Sequence, residues 1–298
     1  MAKAYKTAVI GLGSMGYGIA ASCLRAGHQV WGIDINPDAV DRFKAGGGED
    51  GDLPPDLNAL VVVVLNAGQT ESVLFGEAGL VAKLAPGTVV MSCATVPPDF
   101  ARKMEAQCEE HGIHYLDAPI SGGAAKSAQG ALTVMAAGKA PAFAAAQPVL
   151  DACAQTVFAL GAEAGPGSAM KAVNQLLAGV HIATMAEALT FGMTQGIAPD
   201  QFVNVISKCA GTSWMLENRA PHIVDGDYSP KSQINIWPKD LGIVLDTAKS
   251  VGFAAPIAET ALKQYQAAVE MGLGAEDDAA VAKVYASKAG LDLPTKQD

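Results

Sequence analysis

Two rhythms of apolar residues run along this chain, and the switch between them divides it. In the first half, short β-branched runs alternate with longer stretches of helical period. The runs predict strands at residues 7–10, 29–33, 59–65, 88–92, 114–116, 132–135 and 156–159. Runs with so few polar interruptions suit strands covered on both faces, as in a parallel sheet. Between them the spacing predicts helices after Gly16, over 38–45, over 70–84, and from the Ala94-Thr95-Val96-Pro97-Pro98 opening to about residue 110. The alternation is that of an α/β fold: a mostly parallel, doubly wound sheet of Rossmann type with helices on both faces. From Ser168 onward the strand rhythm stops. Helical periodicity with capping signals continues at residues 168–195, 200–209, 214–224, 238–251, 256–271 and 276–289. The Gly165-Pro166-Gly167 turn sets the boundary, so a Rossmann-type domain is expected at 1–164 and an all-helical domain at 165–298.

The bulk numbers agree with two packed domains. At 298 residues, half of them hydrophobic and 17% charged, the chain has material for sizeable cores. A net charge of −10 opposes general binding to nucleic acid or to an anionic membrane, although a local pocket on an acidic protein still accepts an anion. Cys23, Cys93, Cys108, Cys153 and Cys209 form no C-x-x-C pair and leave one over. They read as reduced, buried, small hydrophobes, and no metal site is expected. No signal peptide is expected ahead of the first strand, and the purest apolar run, 59–65, is too short to span a bilayer. The expected setting is the cytoplasm.

Residues 6–34 carry the first chemistry. Gly11-Leu12-Gly13-Ser14-Met15-Gly16 joins the first strand to the first helix. Gly11 allows a tight turn, Gly13 lets the backbone approach a pyrophosphate, and Gly16 lets helix and strand pack closely. The phosphates would then meet free amides at the helix start. Asp34, eighteen residues after Gly16, ends the second strand and is placed to accept from a ribose diol. A phosphate on that ribose would meet a carboxylate, and Ile35-Asn36-Pro37 offers no arginine, so the cofactor expected is NAD and not NADP. A glycine turn alone has an ordinary structural explanation; strand, helix, second strand and acid in register set this one apart. Asn66, at the end of the third strand, lies where a cofactor edge would pass.

Three further places combine polar groups with glycine. Ser121-Gly122-Gly123 after a strand end offers a nest of amides for a carboxylate, or else an ordinary hairpin connection. Lys171 and Asn174, three apart near a helix start, share a face. Lys171 would emerge from a mostly apolar helix, where desolvation and a neighbouring cation lower a lysine's pKa and suit it to proton transfer with an alcohol; the plainer reading is a solvated surface lysine. Lys239, in Lys239-Asp240-Leu241, would be that second cation, or one half of a salt bridge. His181 falls on nearly the face of Asn174, where a hydrogen-bonded core histidine is the commoner case.

Taken together these motifs resemble the β-hydroxyacid dehydrogenase family, to which 3-hydroxyisobutyrate dehydrogenase and tartronate semialdehyde reductase belong. The resemblance rests on GLGSMGYGIA, DAPISGGAAKSAQGALTVMAAG, GPGSAMKAVNQLL and PKDLGIVLD, in that order, and covers nearly the whole chain. It implies an NAD-binding first domain and a second domain for substrate and oligomer contacts, in a homodimer or homotetramer. It makes Lys171 the catalytic acid/base, gives Ser121, Gly122, Gly123 and Asn174 to the substrate, and sets Thr95 and Lys239 against the cofactor. Departures point to one branch. Gln175 stands where many members have a second asparagine, Lys126 adds a charge, and Ser232 replaces an aromatic residue seven before Lys239. With Gly211-Thr-Ser-Trp-Met-Leu-Glu-Asn-Arg219, these features are similar to the branch that oxidises L-threonate to a 2-oxo acid, whose substrate needs a more polar pocket. The 3-hydroxyisobutyrate and tartronate semialdehyde activities stay open as alternatives. So does a binding relative without catalysis, although such relatives lack the lysine that this chain keeps at 171.

Overall fold

The computed structural model describes residues 4–296. Two compact units divide at Lys171 and Ala172. The first opens with β1 (Lys6–Ile10), α1 (Gly16–Arg25), β2 (Gln29–Ile33), α2 (Pro37–Ala45), β3 (Ala59–Val62), α3 (Ala67–Phe75), β4 (Val89–Ser92), α4 (Pro98–Glu110) and β5 (His114–Asp117). The strands form a parallel sheet in the order β2-β1-β3-β4-β5, with Thr7 of β1 opposite Val30 and Ala59. Successive side chains enter opposite layers. Val9, Val61, Met91 and Leu116 pack with Ile19 and Cys23 of α1, while Ala8, Leu60, Val90 and Tyr115 pack with Met104 and Cys108 of α4. Both faces are therefore covered, as the unbroken apolar runs require.

A second sheet follows, from β6 (Ile120–Ser121), α5 (Gly123–Gln129), β7 (Leu132–Ala136), α6 (Ala140–Cys153) and β8 (Ala154–Ala159). Its order is β6-β7-β8, antiparallel then parallel. The sequence led to one continuous sheet. Between β5 and β6 stand only Ala118 and Pro119, and Pro119 accepts from the Met135 amide but has no N–H to donate. One isolated bridge, Asp117 with Ala137, links the two sheets among the described residues.

Two elements are shorter than their apolar pattern. The run 59–65 pairs only to Val62, because its neighbour β1 ends at Ile10 and the glycine turn that follows lies against Val63; Leu65 is then 64% exposed. The expected helix 70–84 stops at Phe75. Gly76 takes an extended conformation, and the chain turns through Gly79 before a single 3-10 turn at Val81–Lys83.

The second unit is helical. α7 (Pro166–Thr194) starts in the first unit and continues into the second, where α8 (Pro199–Ile206), α9 (Trp214–Val224), α10 (Ile236–Ser250), α11 (Pro256–Glu270) and α12 (Ala282–Ala289) follow. Ile182, Met185 and Leu189 of α7 share a core with Leu216, Trp237, Leu241 and Tyr265. Trp237 stacks on Tyr265 at 5.5 Å, and the Tyr265 hydroxyl donates to the Gly179 carbonyl at 2.8 Å. A Cβ at Gly179 would lie 3.0 Å from the Trp237 ring, so the glycine allows this close approach. By length and composition α7 could cross a membrane, unlike the 59–65 run, but half of that stretch is buried in the protein as a core helix.

Candidate active site

Gly11 leaves β1 with φ of 94°, and a Cβ there would lie 2.3 Å from the Val63 carbonyl oxygen. A Cβ at Gly16 would fall 1.8 Å from the Gly11 carbonyl oxygen, so α1 sits directly on the turn. Gly13 differs: nothing lies within 4 Å of where its Cβ would be, and Ser14 beside it is exposed. Half-buried Met15 gives its carbonyl to the Ser127 hydroxyl at 2.6 Å. The Leu12 amide donates to Asp34 Oδ2 at 2.6 Å, and the Asn36 amide to Oδ1 at 2.8 Å. Ile35, fully exposed, and Leu65 follow the carboxyl ends of β2 and β3. Asn66 Oδ1 caps α3 by accepting from the Gln69 amide, and half-buried Thr95 follows β4. Open backbone for phosphate, a carboxylate for a diol and bare apolar surface for a flat ring all lie beyond the carboxyl ends of parallel strands, which fits a dinucleotide.

The next cluster follows β5. Asp117, its last residue, is 1% exposed. Oδ2 accepts from the amides of Gly165 and Ser168, each at 2.9 Å, and Oδ1 from the Ser168 hydroxyl at 2.6 Å. Burial pushes the carboxyl's pKa up, and these three bonds offset only part of that. Glu105 of α4 holds the Ala164 amide at 3.0 Å. A Cβ at Gly167 would lie 2.5 Å from the Met135 carbonyl oxygen and 2.7 Å from that of Asp117. The glycines that mark a boundary in the sequence thus form a close-packed junction. Lys171, one turn further, is 9% exposed, and its Nζ donates to the Ile120 carbonyl at 2.9 Å. Ser121 follows at once. Gly122 and Gly123, with φ of 136° and 74°, lead into α5, so this segment is not the plain hairpin connection that was one sequence expectation. The stem of Lys126 lies over Gly122, where a Cβ would meet it at 3.0 Å.

In the second unit Asn174 Nδ2 donates to Gln175 Oε1 at 2.9 Å, and Gln175 Nε2 to Asp240 Oδ2 at 2.5 Å. Lys239 is paired with Asp240 Oδ1 at 2.7 Å. It is half of a salt bridge, the plainer of its two sequence readings. His181 is half-buried on α7. Ser232 is held through its backbone: its carbonyl accepts from the Asp278 amide at 2.7 Å, and the neighbouring Lys231 amide donates to Asp277 Oδ2 at 3.0 Å. Asp277 also bonds His222 Nδ1 at 2.8 Å, while the Lys231 ammonium approaches Nε2 at 3.0 Å. The sequence reading gave no role to Asp117, Asp240 or Asp277. Asp117 alone stands as a single acid between apolar neighbours, Leu116 and Ala118, and that was the available signal; Asp240 follows Lys239, and Asp277 lies between Glu276 and Asp278, so neither stood out. Four cysteines are buried as expected; Cys209 is exposed.

A glycine turn on a parallel sheet, followed by a buried lysine at the head of a long helix, defines an NAD-binding dehydrogenase with a helical second unit. Residues 6–161 match the family described as the NAD binding domain of 6-phosphogluconate dehydrogenase, and residues 165–285 that described as NAD-binding of NADP-dependent 3-hydroxyisobutyrate dehydrogenase. The L-threonate dehydrogenase of Pectobacterium atrosepticum is 48% identical, covering 99% of this chain and 97% of its own length. That of Cupriavidus necator is 47% identical, with 97% and 98% covered. A crystal structure of 3-hydroxyisobutyrate dehydrogenase from Salmonella typhimurium is 44% identical with a TM-score of 0.90, over 94% of this chain and 99% of that one. The chain belongs to the β-hydroxyacid dehydrogenase family and is an NAD-dependent hydroxyacid dehydrogenase.

Proposed function

We propose that the enzyme oxidises L-threonate to 2-oxo-tetronate. The observation that carries the mechanism is Lys171, a buried lysine whose Nζ lies 2.9 Å from the carbonyl that immediately precedes Ser121-Gly122-Gly123. In this reading Lys171 takes the proton from the alcohol oxygen on the carbon next to the carboxylate. Ser121, Gly122 and Gly123 receive the substrate's carboxylate, and Asn174, one turn beyond Lys171, holds a hydroxyl. Bound NAD supplies the hydride acceptor. Gly11, Leu12, Gly13, Ser14, Met15 and Gly16 receive its pyrophosphate, Asp34 its adenosine ribose, and Asn66 and Thr95 its remaining edge. For Lys239 the assignment to the cofactor rests on the sequence motif alone.

The substrate choice is supported by relatives named L-threonate dehydrogenase at 45–48% identity over nearly the whole chain, and by Ser232 in place of an aromatic ring. The name of the Salmonella structure favours 3-hydroxyisobutyrate as the second reading. NADH formation across a panel of four-carbon and branched hydroxy acids separates the two: L-threonate gives the highest kcat/KM, and a preference for 3-hydroxyisobutyrate replaces the first reading by the second. We place residues 1–164 in NAD binding and 165–298 in substrate and oligomer contacts, in a cytoplasmic homodimer or homotetramer. Phe191 and Val173 on α7, 66% and 57% exposed, support association, and sedimentation velocity tests it.

A further inference from the structure

We propose that Asp117 is a positioning residue for Lys171. This inference rests on the reading of Lys171 as the proton-transfer group. The first amides of a helix have no partner within it, and a local serine, threonine or asparagine ordinarily serves them. Here the acceptor is a carboxylate 48 and 51 residues upstream, at the end of β5, holding the Gly165 and Ser168 amides and the Ser168 hydroxyl. Three residues after Asp117 on the same segment, the Ile120 carbonyl takes the Nζ of Lys171, itself three residues after Ser168. One rigid stretch therefore grips the helix at its backbone and the lysine at its tip. The two attachments fix the rotation of α7 about its axis and the reach of a side chain with four rotatable bonds. Gly167 sharpens the grip, because any side chain there would collide with the Asp117 and Met135 carbonyls. A buried carboxylate is a costly cap, since the ion must be taken out of water. A neutral cap would serve a helix that only needed to start. The extra expense is explained if the group also sets where Lys171 stands.

A double-mutant cycle tests this. Asp117→Asn keeps the size and one oxygen for the two amides, and its Nδ2 can donate to the Ser168 hydroxyl, but it removes the charge that strengthens all three bonds, so the grip on α7 is weakened. We expect kcat to fall about 10- to 100-fold, as for a misplacement of about 1 Å at a reacting group. KM for L-threonate and the Kd for NAD should stay within about twofold, because neither is bound by Asp117. In a Lys171→Ala background the same change should alter the residual turnover by less than about twofold. An equal loss in both backgrounds overturns the assignment, because Asp117 would then act through the fold alone. Unchanged turnover in Asp117→Asn, with Lys171→Ala inactive, also overturns it. Turnover retained in Lys171→Ala itself overturns the underlying reading of Lys171, and this assignment with it. If Asp117→Asn does not fold, Ser168→Ala removes only the hydroxyl bond. It should lower kcat several-fold with the same dependence on Lys171, and an equal loss in both backgrounds overturns the assignment there too.

Discussion

The amide of Leu12 donates to Asp34 Oδ2 across 2.6 Å, which ties the acid that follows β2 to the glycine turn leaving β1. In the proposed mode of NAD binding this carboxylate meets the ribose diol and would repel a ribose phosphate. Asp34→Ala should raise KM for NAD about 10- to 100-fold, since hydrogen bonds to a charged group contribute roughly 1.5–3 kcal/mol. It should also narrow the preference for NAD over NADP, because the repulsion goes as well. Initial rates with both cofactors check this. Equal kcat/KM for NAD and NADP in the unmodified enzyme would remove the role given to Asp34.

Lys171→Ala should lower kcat by about 10²- to 10⁴-fold, the usual contribution of a positioned acid/base. NAD binding, followed by fluorescence titration, should be nearly unaffected. A variant keeping more than about a tenth of the turnover would mean that Lys171 is not the proton-transfer group.

Ser232 sits on a segment pinned by Asp277 and Asp278, so it has a fixed backbone from which to discriminate. A site built for hydroxyls leaves polar groups unpaired when a methyl substrate enters, at roughly 1–3 kcal/mol each. Two such groups predict at least about a hundredfold advantage in kcat/KM for L-threonate over 3-hydroxyisobutyrate. Ser232→Phe should abolish most of the L-threonate activity while sparing or raising that on the methyl substrate. A variant with both activities reduced alike would dissociate Ser232 from selectivity.

Burial alone would push the Asp277 carboxyl up, but the bonds from His222, Lys231 and Ala279 outweigh it, so the net shift is downward. A lowered carboxyl contributes stability that is present above its unfolded value and is lost as the pH falls through the folded one. Asp277→Asn should therefore be clearly less stable than wild type at neutral pH. The difference should shrink as the pH drops below about 4, the ordinary aspartate value. Denaturant midpoints measured from pH 7 to about pH 3 test this. A gap that stays constant with pH would show that the charge is not what matters.

The alternation of strand and helix, the change to helices alone, and the glycine spacing after β1 were all legible in the chain. Each depends on local properties: apolar periods of two or 3.6 residues, and a glycine's freedom at positive φ. Lys171 was legible for the same reason, as a charge on an apolar helix face. Other features depended on which segments meet in space. No periodicity tells that Pro119 breaks the sheet in two, or that the turn at Gly11 ends the pairing of β3 at Val62. The same holds for Asp117, whose partners lie 48 and 51 residues away, and for Asp240, which meets Gln175 across 65. A buried carboxylate can stand only where several donors converge, and convergence is a property of the packed chain. Sequence by itself determined the elements and the residues able to do chemistry; the tertiary structure alone decided which carbonyl and which carboxylate hold them, because those contacts exist only once distant segments are packed.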